Sequence, residues 1–433
     1  MIIYVQWDFP PQVAAMSSTM AEKILGKVSG GKSLKPGDLI DAKVDVAMSH
    51  ENAGLVSKVF KEIGVKKVWD ADRIVILFDH RVPAESEKTA EGQRNVRKFV
   101  KEYGIKHFYD MKCGICHQIL PEQGHVRPGE LLVGTDSHTT THGAYGCFAT
   151  GIGATEMAAV WATGSLWLMV PESFKINVTG KFPKYVMSKD LILHIIGKLG
   201  ADGADYKSVE FFGNTIDDMS NASRMVLCNM AMEAGAKAAM VPPDGKAIRY
   251  VKKRTNKPFK MVKPDPKAKY EATYDFDVSK LEPQIALPHQ VDKVKPISEV
   301  VGIKIDQALL GSCTNGRVED FEVAVEIMKG KKVHDDVRMI AIPASWEVYI
   351  DCMNKGYLEA LIKAGAVILN PGCGPCLGAH QGLLAPGERC ISSTNRNFQG
   401  RMGSKEAEVY LASPAVVAAS ALKGVIAKPE GGA

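Results

Sequence analysis

The chain holds 433 residues, 45% of them hydrophobic and 24% charged, with a formal net charge of +5. That balance suits roughly two to four packed domains and excludes a disordered or fibrous polymer. No dense basic tract accompanies aromatic residues and no apolar run approaches ~20 residues, so neither nucleic acid nor a membrane is expected as a partner.

Residues 1–16 are apolar but contain Asp8 and two prolines, and the first lysine is Lys23. A secretory signal needs a basic start before its apolar core, so residues 1–19 read as an N-terminal extension, with Met16 and Met20 as alternative starts. Nine cysteines without an export signal point to a reducing, cytoplasmic setting, where thiols serve as ligands or small buried hydrophobes. Further along, apolar β-branched runs alternate with helical patterns, the signature of parallel α/β domains. Residues 74–78 read as a buried strand ending in Asp79-His80, and 131–134 as another ending in Thr135-Asp136-Ser137-His138. An apolar helix is expected over 154–168, then a seam at Val170-Pro171-Glu172-Ser173 and a strand over 174–179. A helical pattern over 223–236 carries Asn229 and, one turn later on the same face, Glu233. Residues 263–269 are rich in lysine and proline, and 281–301 contain three prolines before strand periodicity resumes.

Three more strands follow. Residues 307–310 run into Cys313, 366–369 into Cys373, and 390–393 into Asn395 and Arg396. Five apolar strands thus end in polar loops carrying Asp, His, Cys, Asn and Arg, at the carboxyl ends where open α/β sheets bind ligands. The fold class is therefore α/β, with mostly parallel sheets in three domains: 20–171, 172–281 and 282–433, the last carrying the cysteines discussed next.

Cys313, Cys373 and Cys376 each sit just past an apolar run, in Gly311-Ser312-Cys313-Thr314-Asn315-Gly316-Arg317 and Cys373-Gly374-Pro375-Cys376. Thiolates are soft ligands and suit an iron–sulfur cluster, zinc or copper. A cubane cluster has four iron corners, so three thiolates would leave one open to act on substrate as a Lewis acid. The Cys373–Cys376 pair also suits thiol–disulfide exchange, which would leave Cys313 and the Asp–His and Asn–Arg loops without a role. Cys113-Gly114-Ile115-Cys116-His117 matches a haem-attachment pattern that needs an exported setting, and Cys147, Cys228, Cys352 and Cys390 read as small apolar residues. Asp79 precedes His80 and Asp136 lies two before His138; a carboxylate on one ring nitrogen fixes the tautomer and raises basicity, as acid–base work requires. Arg396 and Arg401 lie five apart in a glycine-containing loop and suit carboxylate clamping.

Together these residues resemble the aconitase superfamily, in particular the large subunits of its two-subunit isopropylmalate dehydratase and homoaconitase branch. The resemblance spans nearly the whole chain from about Met20. It is carried by Leu77-Phe78-Asp79-His80, Gly134-Thr135-Asp136-Ser137-His138-Thr139, Gly151-Ile152-Gly153-Ala154-Thr155-Glu156, the Cys313 segment and Asn395-Arg396-Asn397-Phe398. It implies one [4Fe–4S] cluster per subunit, held by Cys313, Cys373 and Cys376, with one iron open to a substrate hydroxyl and carboxylate. It implies acid–base roles for His80 with Asp79, His117 with Asp136 and His138 with Glu233, His80 helping to protonate the departing hydroxide. Asn229 and Asn395 fall on asparagines near the cluster, Ser137, Arg396 and Arg401 on substrate contacts, and His50 on a substrate-side position. After His50-Glu51 this chain reads Asn52-Ala53-Gly54-Leu55. Many relatives instead follow the histidine with an acid, a small residue, Thr and often Pro, a departure that bears on substrate, not reaction type.

The family's swivelling domain carries a Gly-Ser-Ser-Arg-like segment whose serine takes the proton from carbon, and no such segment occurs here. The resemblance therefore implies a separate small subunit supplying that serine and a substrate arginine. The implied activity is a hydro-lyase that isomerises a 2-hydroxy dicarboxylate by dehydration and rehydration. 3-Isopropylmalate, in leucine biosynthesis, is the first expectation; another alkylated malate (2,3-dimethylmalate, citramalate) or homocitrate is the alternative. Readings of other classes are a thiol–disulfide oxidoreductase and the RNA binding of cluster-free relatives, which would need a basic face.

Overall fold

The computed structural model describes residues 17–430, so all but the last three residues of the expected extension lie outside the described part. Thr19 opens the first helix, Met20–Val28: its hydroxyl accepts from the Glu22 N–H while the Glu22 carboxylate accepts from the Thr19 N–H. Buried Glu210 reaches across and accepts from the Met20 N–H at 2.7 Å, tying this helix to the second sheet.

Three larger sheets carry the described residues. The first is wholly parallel, in the order His107–Tyr109, Ile74–Leu77, Val46–Ser49, Leu131–Gly134, Phe148–Gly151. Its inner strands are buried at every position, which is why they read as unbroken apolar runs and not as alternation. The chain enters mid-sheet and winds outward both ways, so strand order reverses between Val46–Ser49 and Leu131–Gly134. His50 and Thr135-Asp136 leave the sheet at that reversal, the usual ligand crevice of such folds. The second sheet, also parallel, runs Ala238–Met240, Ser208–Phe212, Ser173–Thr179, Ala272–Asp277. The third has seven strands; five of them, Glu408–Leu411, Arg389–Ser392, Gln307–Gly311, Arg338–Ile342 and Val367–Ile368, are parallel. Its order reverses between Gln307–Gly311 and Arg389–Ser392, so Cys313 and Asn395 emerge side by side.

The structure differs from expectation in three places. The apolar helix over 154–168 stops at Thr163, where Gly164 adopts φ 75° and closes it. Residues Ser165–Met169 form instead a strand antiparallel to Leu39–Lys43, with Trp167 on its exposed side. The helix over 223–236 is an α-helix only across Asn221–Met230; Glu233 sits on a tighter 3-10 turn, Ala231–Ala234. The proline-bearing stretch 281–301 holds two short strands that extend the third sheet: Gln284–Ala286 pairs antiparallel with Glu408–Leu411, and Val294–Pro296 pairs antiparallel with Gln284–Ala286.

Candidate active site

The Cys313 loop is built by a strained turn. Gly311 has φ 128° and its carbonyl-facing side is so close to Ile342 that a Cβ there would lie 2.1 Å from the Ile342 oxygen. Ser312 follows at φ 69°, a left-handed conformation that costs a non-glycine residue about 1 kcal/mol. Buried Arg317 offsets this by donating from Nη2 to the Cys313 carbonyl (2.9 Å), from Nη1 to Thr314 O (2.7 Å) and from Nε to Gln118 Oε1 (3.0 Å). Asn229 Nδ2 and Asn395 Nδ2 both point at Cys313 Sγ, at 3.4 and 3.2 Å. Asn395 Oδ1 lies 3.7 Å from Cys376 Sγ, and the Cys373 N–H donates to the Asp79 carbonyl at 3.0 Å. All three thiols are buried and unbridged.

From Cys373 the contacts continue into imidazole–carboxylate pairs. His80 donates from Nδ1 to Asp79 Oδ1 at 2.5 Å, and its Nε2 lies 3.3 Å from Asp136 Oδ2. Asp136 also meets His117 Nε2 at 3.0 Å and accepts from the His138 N–H at 2.7 Å. His138 Nε2 lies 2.6 Å from Glu233 Oε1, and Glu233 in turn accepts from Arg396 Nε at 2.9 and 3.1 Å. One carboxylate, Asp136, thus joins three histidines from three separate segments. Burial opposes charge on Asp79, but the adjacent His80 outweighs it and holds the carboxyl below its usual range. Burial likewise opposes charge on His80 and His138, yet the facing carboxylates keep both pKa values above the ordinary histidine value.

The remaining expected residues are placed less uniformly. His50 stacks on His80 with ring centroids 4.2 Å apart and its Nε2 lies 3.1 Å from the Thr135 carbonyl oxygen. Ser137 lines a cavity of about 290 Å³ with Ile152, Gly153 and Met232, beside the imidazole network but making no side-chain hydrogen bond in it. Arg401 is not joined to the network either; its buried Nε has no partner. Cys147, Cys228, Cys352 and Cys390 are buried, and Cys116 is buried while Cys113 is half-buried.

Two residues that the sequence did not single out hold the site together. Glu51 Oε1 accepts from the backbone N–H groups of Asp79, His80 and Arg81 at 3.1, 3.0 and 2.9 Å, fixing the turn that aims His80. Lys189, fully buried, donates from Nζ to the carbonyls of Ser393 and Thr394. Only adjacency to His50 hinted at the first, and only a Lys-Asp pair at a helix start at the second.

Comparison with known proteins supplies the context for this geometry. The model of the "Aconitase family (aconitate hydratase)" matches residues 33–303 and 298–424. The chain belongs to the aconitase family. It is 56% identical over 415 residues to the "3-isopropylmalate dehydratase large subunit 1" of Methanopyrus kandleri, covering 96% of this chain and 99% of that one. It is 50% identical over 421 residues to the "3-isopropylmalate dehydratase large subunit" of Aquifex aeolicus, covering 96% and 98%. It is also 51% identical over 416 residues, covering 95% and 97%, to the "Probable methanogen homoaconitase large subunit" of Methanothermobacter thermautotrophicus.

Aconitase-family membership implies a hydro-lyase with an iron–sulfur cluster, and the donor set fits one. Three buried thiols converge without forming a disulfide, and two asparagine amides aim N–H groups at sulfur, the partners a thiolate needs once deprotonated. Burial, and then the neighbouring Cys376 sulfur, push the Cys313 thiol up to about 11. Burial also raises the Cys373 thiol, against the pull of His80. Two buried thiols raised in this way beside a third suit a cation at their centre, which would favour their ionised form.

Proposed function

We propose that this chain is the large subunit of a two-subunit hydro-lyase that isomerises 3-isopropylmalate and 2-isopropylmalate, with a [4Fe–4S] cluster held by Cys313, Cys373 and Cys376 and one iron open to substrate. The observation that carries the reading is the run of contacts from Asn395 on Cys313 and Cys376, through the backbone bonds of Cys376 to Cys373 and of Cys373 to Asp79, to His80, Asp136, His138, Glu233 and Arg396. When bound, the cluster supplies a Lewis acid for the substrate's hydroxyl and carboxylate. His80, kept protonated by Asp79, delivers a proton to the departing hydroxide. His117 and His138 with Asp136 and Glu233 pass that proton between the site and water. Arg396, braced by Glu233, and Arg401, whose buried Nε has a bond to give, hold the substrate carboxylates while its two carbons exchange the hydroxyl. Ser137 and His50 complete the substrate side. A partner subunit, in line with the "large subunit" names of the relatives, brings the serine that takes the carbon-bound proton and a further arginine.

Three domains at 20–171, 172–281 and 282–433 fit this reading, since each contributes to the network: Asp79, His80 and Asp136 from the first, Asn229 and Glu233 from the second, the cysteines and Arg396 from the third. A reducing cytoplasm suits nine unpaired cysteines, and among the described residues no helix is long and apolar enough to cross a membrane. A second substrate, homocitrate, is favoured by relatives named as homoaconitase large subunits at 51% and 53% identity. The test is turnover by the anaerobically reconstituted chain with and without its small partner, on 3-isopropylmalate, homocitrate, 2,3-dimethylmalate and citramalate. The reading expects activity only with the partner and kcat/KM highest for 3-isopropylmalate, by about tenfold or more. Full turnover by this chain alone, or thiol–disulfide exchange that survives Cys313→Ala, would overturn it.

A further inference from the structure

Lys189 is the second residue of the helix Ser188–Leu199 and is completely buried, an unusual setting for an ammonium group. Its Nζ donates to two backbone carbonyls, Ser393 at 3.0 Å and Thr394, at the exit of the strand Arg389–Ser392. No carboxylate forms an ion pair with it among the described residues. The adjacent Asp190 is turned elsewhere, accepting from the Met187 N–H at 2.8 Å and the Gln284 N–H at 2.9 Å. Burial lifts both Asp190 and the nearby Asp320 to about 7, which weakens them as counter-charges.

A buried ammonium facing only neutral dipoles is costly, by several kcal/mol per ion in a protein interior. Thr394, whose carbonyl holds Nζ, is followed directly by Asn395, which lies 3.2 Å from Cys313 Sγ through Nδ2 and 3.7 Å from Cys376 Sγ through Oδ1. When ionised, those two sulfurs would favour charge on Lys189 more than Asp190 or Asp320 does. Burial pulls the Lys189 pKa down to about 7, against the pull of those two sulfurs. Three thiolates outweigh the charge of an oxidised cubane core and leave a net negative centre. The same two carbonyls that hold the ammonium belong to the loop that delivers Asn395 and Arg396.

We infer that Lys189 is the buried counter-cation of the cysteine centre, held by the Ser393 and Thr394 carbonyls of the loop that carries Asn395. It is a positioning residue and touches no substrate. This rests on the cluster reading above and extends it to a residue from another segment. The fixed positive charge stabilises the loaded centre, whereas in the cluster-free chain it is an uncompensated burden. A neutral side chain of the same length should therefore harm the loaded state and spare or help the empty one.

The experiment uses the full chain as wild type, Lys189→Met and Lys189→Arg, each reconstituted anaerobically. Two quantities are measured: the melting temperature of the cluster-free protein, and the rate at which the visible absorbance bleaches in EDTA. The expected result is a cluster-free Lys189→Met protein that melts at or above wild type, with bleaching faster by about tenfold or more, and Lys189→Arg bleaching more slowly than Lys189→Met. Bleaching of Lys189→Met within about twofold of wild type would overturn the inference. So would a cluster-free Lys189→Met chain that melts lower than wild type or fails to fold, since that makes the lysine a structural clamp only. Wild-type protein that takes up no iron defeats the cluster reading itself, which separates the two failures.

Discussion

Glu51 offers the sharpest probe of how the acid–base network is aimed. Its Oε1 accepts from three successive backbone N–H groups, of Asp79, His80 and Arg81, and Oε2 adds a longer bond to the His80 N–H at 3.2 Å. The Glu51 side chain is 15% exposed, so water can replace only part of this set after Glu51→Ala. A hydrogen bond to a charged group contributes about 1.5–3 kcal/mol, and loss of even one from the geometry of His80 predicts a fall in kcat of roughly 10- to 100-fold. Glu51→Gln keeps an oxygen at the Oε1 position and with it three of the four bonds, so its kcat should stay within about fivefold of wild type. The assay is dehydration by the chain with its small subunit, normalised to iron content, because Glu51 touches none of the three cysteines. Wild-type kcat in Glu51→Ala at equal iron content would refute the idea that this carboxylate places His80.

Two further substitutions test packing and charge elsewhere. A Cβ at Gly143 would lie 1.7 Å from the Ala239 carbonyl oxygen, a backbone atom that cannot swing away. Gly143→Ala should therefore cost about 1–3 kcal/mol or more and lower the melting temperature, and an unchanged melting temperature would contradict the close approach. Glu210 is fully buried, and burial raises its pKa from 4.5 to about 7 against hydrogen bonds from Tyr270, Ala21 and Met20. A raised carboxyl pKa contributes stability that is complete below about pH 4.5 and lost as pH climbs through about 7, an effect of up to about 3 kcal/mol. Denaturant midpoints at pH 5 and pH 8 should show the advantage of wild type over Glu210→Gln shrinking at the higher pH; a constant difference would show that Glu210 is charged throughout.

The carboxyl ends of the sheets that carry the candidate site are legible in the sequence because the strands there are buried and stop at polar, glycine-rich turns. Leu131–Gly134 runs straight into Asp136, and Gln307–Gly311 into Cys313, so apolar run and loop chemistry marked the same points. The sequence pattern carries the helix on through 168 because Leu166 and Leu168 continue the apolar content of the preceding helix, and only Gly164 marks the break. Its partner strand, Leu39–Lys43, lies more than a hundred residues earlier, and no local pattern encodes that pairing. The strands inside 281–301 were hidden by prolines, which edge positions tolerate since they need not donate on both sides. Glu51 and Lys189 are not legible locally for the same reason as the Leu39–Lys43 pairing: their partners lie about 30 and about 200 residues away, and a carboxylate or ammonium is read by default as solvated.

The account depends most on the metal centre, and iron uptake measures it directly. Anaerobic reconstitution of the full chain should give about four irons with broad visible absorbance, and Cys→Ser at 313, 373 or 376 should each reduce both, while Cys352→Ser, in the helix Trp346–Asn354, should not. Undiminished iron in any one of the three variants, or an equal loss in Cys352→Ser, would contradict it.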